Sequence, residues 1–178
     1  RIVPFRETCR EFFGGGTPRS TDPSLWNGSI PWTTSAHLSG TFLRSGLRSI
    51  TEAGLRSSTS RVVPAGNLLV GTRVGVGKAA VNLLDVAISQ DLTAGIVNTE
   101  EFLPDFLAFH LQTERCQSFF ETSKRGATIK GVPREDLYQL EVVAPPLDEQ
   151  REIARVLTSI QTALGVQQET VSKIRELK

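Results

Sequence analysis

Gly75, Gly77 and Lys78, in the run GTRVGVGKAA at 71–80, come nearest to a chemical motif in this chain, because glycine-rich loops ending in lysine cradle nucleotide phosphates. A P-loop needs a glycine, four residues and then Gly-Lys-Ser/Thr. Counting back from Gly77 and Lys78 puts Thr72 where the first glycine belongs, and Ala79 stands where the magnesium-holding hydroxyl should be. Gly75, Gly77 and Ala80 also meet the dinucleotide pattern GxGxxA, yet the residues that follow, VNLLDVAIS, have strand character where the phosphate-binding helix should begin. A glycine-rich hairpin carrying Arg73 and Lys78 close to a ligand backbone is the simpler reading.

The other reactive side chains stand apart. His37 and His110 have no Cys, Asp or Glu at a helical or hairpin spacing that would hold a metal, and no Ser-His-acid or Cys-His set forms. His110 falls on an apolar helical pattern and reads as core, whereas His37 lies in a polar loop where it could bond a ligand. Cys9 and Cys116 are the only cysteines, too few for a disulfide framework or a metal cluster, and read as buried thiols. The acids between 85 and 121 fall largely on one proposed helix and its entry, the usual place for a solvated face. Nothing in these residues argues for catalysis.

Charge says what is recognised. The net charge is only +1, but residues 1–80 carry ten Lys or Arg against four acids, and residues 81–121 carry one against seven. Within 44–78, Arg44, Arg48, Arg56, Arg61, Arg73 and Lys78 face a lone Glu52 in a stretch rich in Gly, Ser and Thr. Guanidinium groups with hydroxyls between them suit phosphate and base-edge contacts, although a solvated basic surface would look the same. Ser35, His37, Lys124, Arg125 and Lys130 form a second group of candidates by loop position and charge.

The elements that must position these groups follow from pattern. Residues 14–34 read as consecutive turns enclosing short extended pieces, with Trp26 and Trp32 as core anchors. Residues 61–97 alternate β-branched and apolar stretches with Gly and Asn and predict the sheet. The period then changes, and the spacing predicts one helix from about 102 to 123. GATIKGV turns back as an extended piece, Pro133 opens a single helical turn, and LEVVAPP is the last strand. At 39% hydrophobic and 22% charged residues the composition is that of a globular protein, and no apolar run approaches a membrane span. The start has no signal-peptide pattern, so a cytoplasmic setting is expected, and the lack of any methionine fits a chain trimmed from a longer one.

From Asp148 onward, Ile153, Leu157, Ile160, Leu164, Gln167, Val171 and Ile174 follow one another by alternating steps of four and three, the average of a coiled-coil seam. Asp148, Glu149 and Glu152 sit at the positive end of the helix dipole and Lys173, Arg175 and Lys178 at the negative end. Gly165 costs about 1 kcal/mol in a helix interior, but the seam keeps phase across it, so one continuous helix is expected. A rod apolar on one side packs on its own domain or pairs with another helix. Pairing accounts better for an element with nothing after it, and Gln167 would then fix register.

These blocks resemble one family over nearly the whole chain. GGGTPRSTDPSLWNGSIPWTTSAHL looks like the opening of a target recognition domain from the specificity subunits of type I restriction-modification systems, with its GGTP turn and Trp-x-Gly-x-Ile-x-Trp. GNLLVGTRVGVGKAAV resembles that family's strand, Arg-Gly hairpin and next strand, and AISQDLTAGI its Asn-Gln block with Ser89 in the Asn position. GATIKGVPREDLYQLEVVAPPLDEQREI is similar to its closing block.

The resemblance implies an α+β fold. A mixed, twisted sheet with short helices forms a DNA-binding recognition domain over 1–145, and a coiled-coil spacer helix over 146–178 serves pairing and methyltransferase docking. It implies double-stranded DNA as ligand and no catalysis or cofactor on this chain. Adenine-N6 methyltransferase subunits using S-adenosylmethionine, and motor-nuclease restriction subunits using ATP and magnesium, would be the partners. A usual specificity subunit has two recognition domains and two spacer helices, whereas one of each is present here. A homodimer, or a second recognition domain, would complete it. The rivals are a structural coiled-coil adaptor and a nucleotide-dependent enzyme.

Overall fold

In the computed structural model, which describes residues 1–127 and 130–176, the chain builds three sheets. The largest has the order β2 (Cys9–Gly14), β10 (Leu92–Val97), β7 (Leu68–Gly71), β8 (Ala79–Asn82), β4 (Phe42–Leu43). The second runs β5 (Arg48–Ile50), β3 (Trp26–Thr33), β9 (Val86–Ile88), β6 (Arg61–Val63), and β1 (Ile2–Pro4) pairs with β11 (Glu141–Val143) as a separate ribbon. Pairing is antiparallel except for β3 with β9 and β4 with β8. The helices are α1 (Glu52–Arg56), α2 (Pro104–Leu111), α3 (Glu114–Ser123), α4 (Arg134–Leu137) and α5 (Leu147–Glu176). This is the α+β class with mixed sheets and a long C-terminal helix expected from sequence.

Strand periodicity divides the core. On β7, Leu68 and Val70 enter the cluster beneath α2 and α3, and Leu69 points into the cluster shared with the second sheet; on β8, Ala79 and Val81 oppose Ala80 in the same way. The five-stranded sheet is therefore covered on both faces, which explains why its central strands are mostly apolar runs, with Asn82 and Thr93 as buried polar exceptions, instead of alternating with polar residues. Trp26 and Trp32 anchor a third cluster, edge to face at 5.3 Å, with their indole N–H groups donating to the carbonyls of Arg19 and Gly16.

Two local expectations are corrected. Residues 14–34 are less a string of turns than expected, since β3 is an eight-residue strand. The glycines before it are required by close approach: a Cβ on Gly15 would lie 1.9 Å from the Ile88 carbonyl oxygen. The helix expected over 102–123 is two helices broken at Gln112 and Thr113, because side chains compete for the terminal carbonyls of α2. Gln112 Nε2 donates to Ala108 O, Gln117 Nε2 to Leu111 O, and the Thr113 hydroxyl to His110 O.

His110, on α2, stacks on Phe106 and has a buried Nε2 with no hydrogen-bond partner. Burial pushes its pKa below 6.5, Arg115 adds to that shift, and the Glu141 backbone opposes it. An unfolded imidazole therefore takes up its proton at a higher pH than the folded one, and stability present above pH 6.5 is lost as pH falls through the folded value. Chemical denaturation between pH 7 and pH 5 should show this decline, and His110→Phe should flatten it; equal pH slopes for the two proteins would refute the assignment. Cys9 and Cys116 are both buried thiols, as expected, and burial raises the Cys9 pKa to about 12.

The C-terminal helix runs without interruption through Gly165, over about 45 Å at 1.5 Å per residue. It is locked on by Gln150, which is fully buried: its Oε1 accepts from the Leu103 N–H at 2.9 Å, and its Nε2 donates to the carbonyls of Glu101 at 2.8 Å and Pro145 at 2.9 Å. The Pro145-Pro146 pair ends the strand region, and Gln150 fixes the direction in which the rod leaves. Ala154 is buried, and Ile153 and Leu157 pack against the same core as α2. The seam expected from sequence is therefore corrected at its first two positions, which pack on this chain's own head. Beyond them Ile160 and Leu164 are about half exposed, at 50% and 51%, and Gln167 is exposed. The side chains of Val171 and Ile174, and Lys178 altogether, lie outside the described residues.

Candidate nucleic-acid interface

The β7–β8 connection is the hairpin that its glycines indicated. Gly75 and Gly77 take φ values of +61° and +86°, a region open to glycine, and the Gly71 N–H donates to Lys78 O while the Lys78 N–H donates to Gly75 O. The strand β8 follows directly, so no helix N-terminus meets the glycines and the nucleotide-binding geometry is absent.

Asp91 holds this hairpin in place. Its buried carboxylate accepts from the Ser35 N–H at 2.9 Å and from the hydroxyls of Ser35 and Ser89, while its backbone carbonyl accepts from the Thr72 N–H. The Ser35 hydroxyl also sits against the Val74 carbonyl. Ser35 is therefore corrected from candidate contact to internal support: it is fully buried and its polar atoms are used within the protein. Ser89, in the Asn position of its motif, serves the same carboxylate.

Four clefts surround the hairpin, and their shared walls make them one surface. Arg73 lies between a cleft of about 500 Å³ lined by Gln90, Thr93, Arg125, Arg134 and Glu135 and another of about 490 Å³ lined by Glu121, Lys124 and Lys130. Val76 separates the latter from a cleft that carries Lys78 and Gln117, and Leu38 to Gly40 join that one to a smaller cleft lined by His37 and Arg44. The structure thus brings together Arg73, Lys78, Lys124, Arg125, Lys130, His37 and Arg44. Residues 125 and 131 form an antiparallel bridge, and the Val132 N–H donates to Thr72 O, so the closing block wraps onto the hairpin. Thr128 and Ile129 within that block lie outside the described residues.

Arg48, Arg56 and Arg61 are placed elsewhere. Arg48 and Arg61 are on opposite edge strands of the second sheet: Arg48 stacks over Trp26 at 3.8 Å, and Arg61 lies over Phe13 at 3.7 Å and pairs with Glu11. Arg56, on α1, pairs with Glu52 one turn back. On the hairpin surface, Lys124 pairs with Glu121, and Arg125 Nη2 lies 2.8 Å from Asp136 Oδ2 but outside hydrogen-bond geometry. Arg44, Arg73, Lys78 and Lys130 have no acid within ion-pair distance among the described residues, and the Lys78 ammonium donates to the Ala36 carbonyl at 3.4 Å. The sequence reading passed over Arg134 and Gln90, which line the same cleft as Arg73. Position after a helix-opening proline in a basic block was the available signal for Arg134.

The domain thus combines mixed sheets, a basic face lined by clefts and a projecting C-terminal helix. The family model for the type I restriction modification DNA specificity domain matches residues 10–175, and the chain belongs to that family. It is 26% identical over 151 residues to the MjaIX specificity subunit of Methanocaldococcus jannaschii, covering 83% of this chain and 35% of that one. It is 25% identical over 158 residues to the EcoR124I/EcoR124II specificity subunit of Escherichia coli, covering 85% and 39%. Among solved structures, it superposes with TM-score 0.71 and 24% identity on a chain described in connection with complex assembly and conformational transition of the type I R-M system, covering 99% of this chain and 43% of that one. The HsdS subunit from Thermoanaerobacter tengcongensis gives a TM-score of 0.67 at 21% identity over 93% of this chain and 38% of that one. The chain thus spans little more than a third of the specificity subunits it resembles in sequence.

Proposed function

We propose that this chain reads one half of a bipartite DNA target for a type I restriction-modification enzyme, residues 1–145 docking on duplex and residues 146–178 acting as the spacer. The observation that carries this is the set of unpaired cations gathered around the 72–78 hairpin. Contacts from them to phosphates position the domain, and loop side chains reach base edges in the major groove. The free face of the C-terminal helix, from Ile160 outward, pairs with a second copy or with a second recognition domain. A two-fold pair would read two identical half-sites in opposite orientation.

Methyl transfer and cleavage belong to partners: adenine-N6 methyltransferase subunits with S-adenosylmethionine, and restriction subunits with ATP and magnesium. The chain itself acts in the cytoplasm as a non-catalytic reader. Methylation-site sequencing of a host carrying the chain with its methyltransferase subunit should report a bipartite motif, palindromic where the partner is a second copy, that disappears on deletion of this chain. A methylation pattern indifferent to the deletion would overturn the reading. Arg73→Ala should weaken duplex binding by about tenfold without lowering the melting temperature, since the side chain is exposed and makes no ion pair. Unchanged affinity would remove Arg73 from the interface.

A further inference from the structure

Arg134 is the unusual cation of this surface. It is half-buried in the wall of the 500 Å³ cleft, its Nε is buried without a hydrogen-bond partner, and among the described residues no acid lies within ion-pair distance of it. Holding a guanidinium partly out of water with nothing to pair it costs folding free energy, whereas its neighbour Arg125 is set against Asp136. The surroundings also make room for it. A Cβ on Gly14 would stand 2.8 Å from Arg134 Nη2, so the glycine at the end of β2 leaves the space the guanidinium fills.

Apart from the Glu135 carboxylate, the side-chain groups left free on this wall among the described residues are donors. Gln90 Oε1 is taken by the Thr17 hydroxyl at 2.5 Å, and among the described residues its amide N–H groups have no protein acceptor. Thr72 and Thr93 satisfy one another and the Asp91 carbonyl. Arg73 adds a second unpaired guanidinium from the hairpin side, and Glu135 is the one unpaired carboxylate on the lining.

We infer that this cleft receives a backbone phosphate of the bound duplex, clamped by Arg134 with Arg73 and the Gln90 amide. On this inference, which rests on the DNA-binding reading above, Arg134 sets where the domain sits on DNA and does not choose its sequence. The donor set fits any anionic oxygen, and a guanine edge would accept from the same groups. Shape decides between them. Base edges lie at the floor of a groove and are reached by side chains that project, whereas Arg134 is recessed and can be met only by a group that projects from the DNA, as phosphates do.

The test uses the full chain with its methyltransferase subunit and fluorescence anisotropy on two labelled duplexes, one of random sequence and one carrying the methylated motif. Arg134→Gln should weaken both by a similar factor, about tenfold, and lower the slope of log affinity against log salt by about 0.9, the value for one lost phosphate contact. Gly14→Ala, which displaces the guanidinium and keeps its charge, should give a smaller loss. The melting temperature of Arg134→Gln should stay level or rise, because no ion pair is broken. A scan of single methylphosphonate linkages should find one position at which wild type and Arg134→Gln bind alike. Loss confined to the motif duplex with an unchanged salt slope would make Arg134 a base reader and overturn the clamp, as would unchanged affinity for both. A wild-type complex that binds neither duplex overturns the DNA-binding reading, and the clamp falls with it.

Discussion

Gln150→Ala should cost about 3 kcal/mol or more in unfolding free energy, a large effect for a change at the foot of a helix that mostly points into solvent. The alanine leaves the Leu103 N–H and the carbonyls of Glu101 and Pro145 without the partners that the buried amide supplies. Each buried backbone group left unpaired costs about 1–3 kcal/mol, and the vacated volume adds to this. Urea denaturation should show the midpoint falling, and hydrogen exchange should accelerate in the first turns of α5 and at Leu103. Gln150→Glu separates bonding from volume. A carboxylate of nearly the same size can accept from Leu103 but cannot donate to the two carbonyls, and burial raises its pKa above the unfolded value. That variant should be unstable at neutral pH and regain stability as pH falls and the group protonates, becoming a donor. A wild-type midpoint for both variants would show that Gln150 does not hold the joint. The functional stake is the angle at which the rod leaves the head, because the three directional bonds of Gln150 tie the first turn of the helix to Glu101, Leu103 and Pro145.

That joint was visible in the sequence only as a motif. The Pro-Pro pair and acidic first turn marked where a helix begins, but not that the glutamine two residues after Asp148 turns inward. A polar residue on an amphipathic helix is assigned to solvent unless its partners are known, and these partners lie some 50 residues back along the chain at Glu101 and Leu103. The same limit applies to Ser35. Its hydroxyl in a polar loop looked available, and only the fold brings Asp91 to it. Features whose cause is local were legible: the hairpin glycines with positive φ, the single turn after Pro133, and the continuous long helix. Features set by distant close approach were not, as with Gly15 against Ile88. Arg134 was missed because charge was weighed by clustering along the chain, whereas the cleft gathers it with Arg73 and Gln90 through the fold.

The second large effect divides the seam of α5 by function. Ile160→Asp combined with Leu164→Asp should abolish helix pairing and leave the head as stable as wild type, since both side chains are about half exposed and neither belongs to the packed core. Leu157→Asp should instead cost about 2–4 kcal/mol in the single chain, because this leucine packs against the core cluster that contains Ala154 and the α2 residues, and a carboxylate there is desolvated. Sedimentation equilibrium read together with thermal melts distinguishes the two changes: the outer pair should alter mass at constant melting temperature, and the inner one should lower the melting temperature at any protein concentration. On the proposed pairing, the outer variant also loses methylation of the bipartite motif, because each head still reaches its half-site but nothing fixes the distance between them. The geometry makes this a sharp demand. With Ile153 and Leu157 committed to the head, pairing must begin near Ile160, from which nearly five turns of the described helix run outward, and two aspartates at its start remove the only apolar residues at the described seam positions beyond the head. If the double variant keeps the wild-type mass and that mass is dimeric, the partner grips another face, and the heptad spacing does not mark the contact.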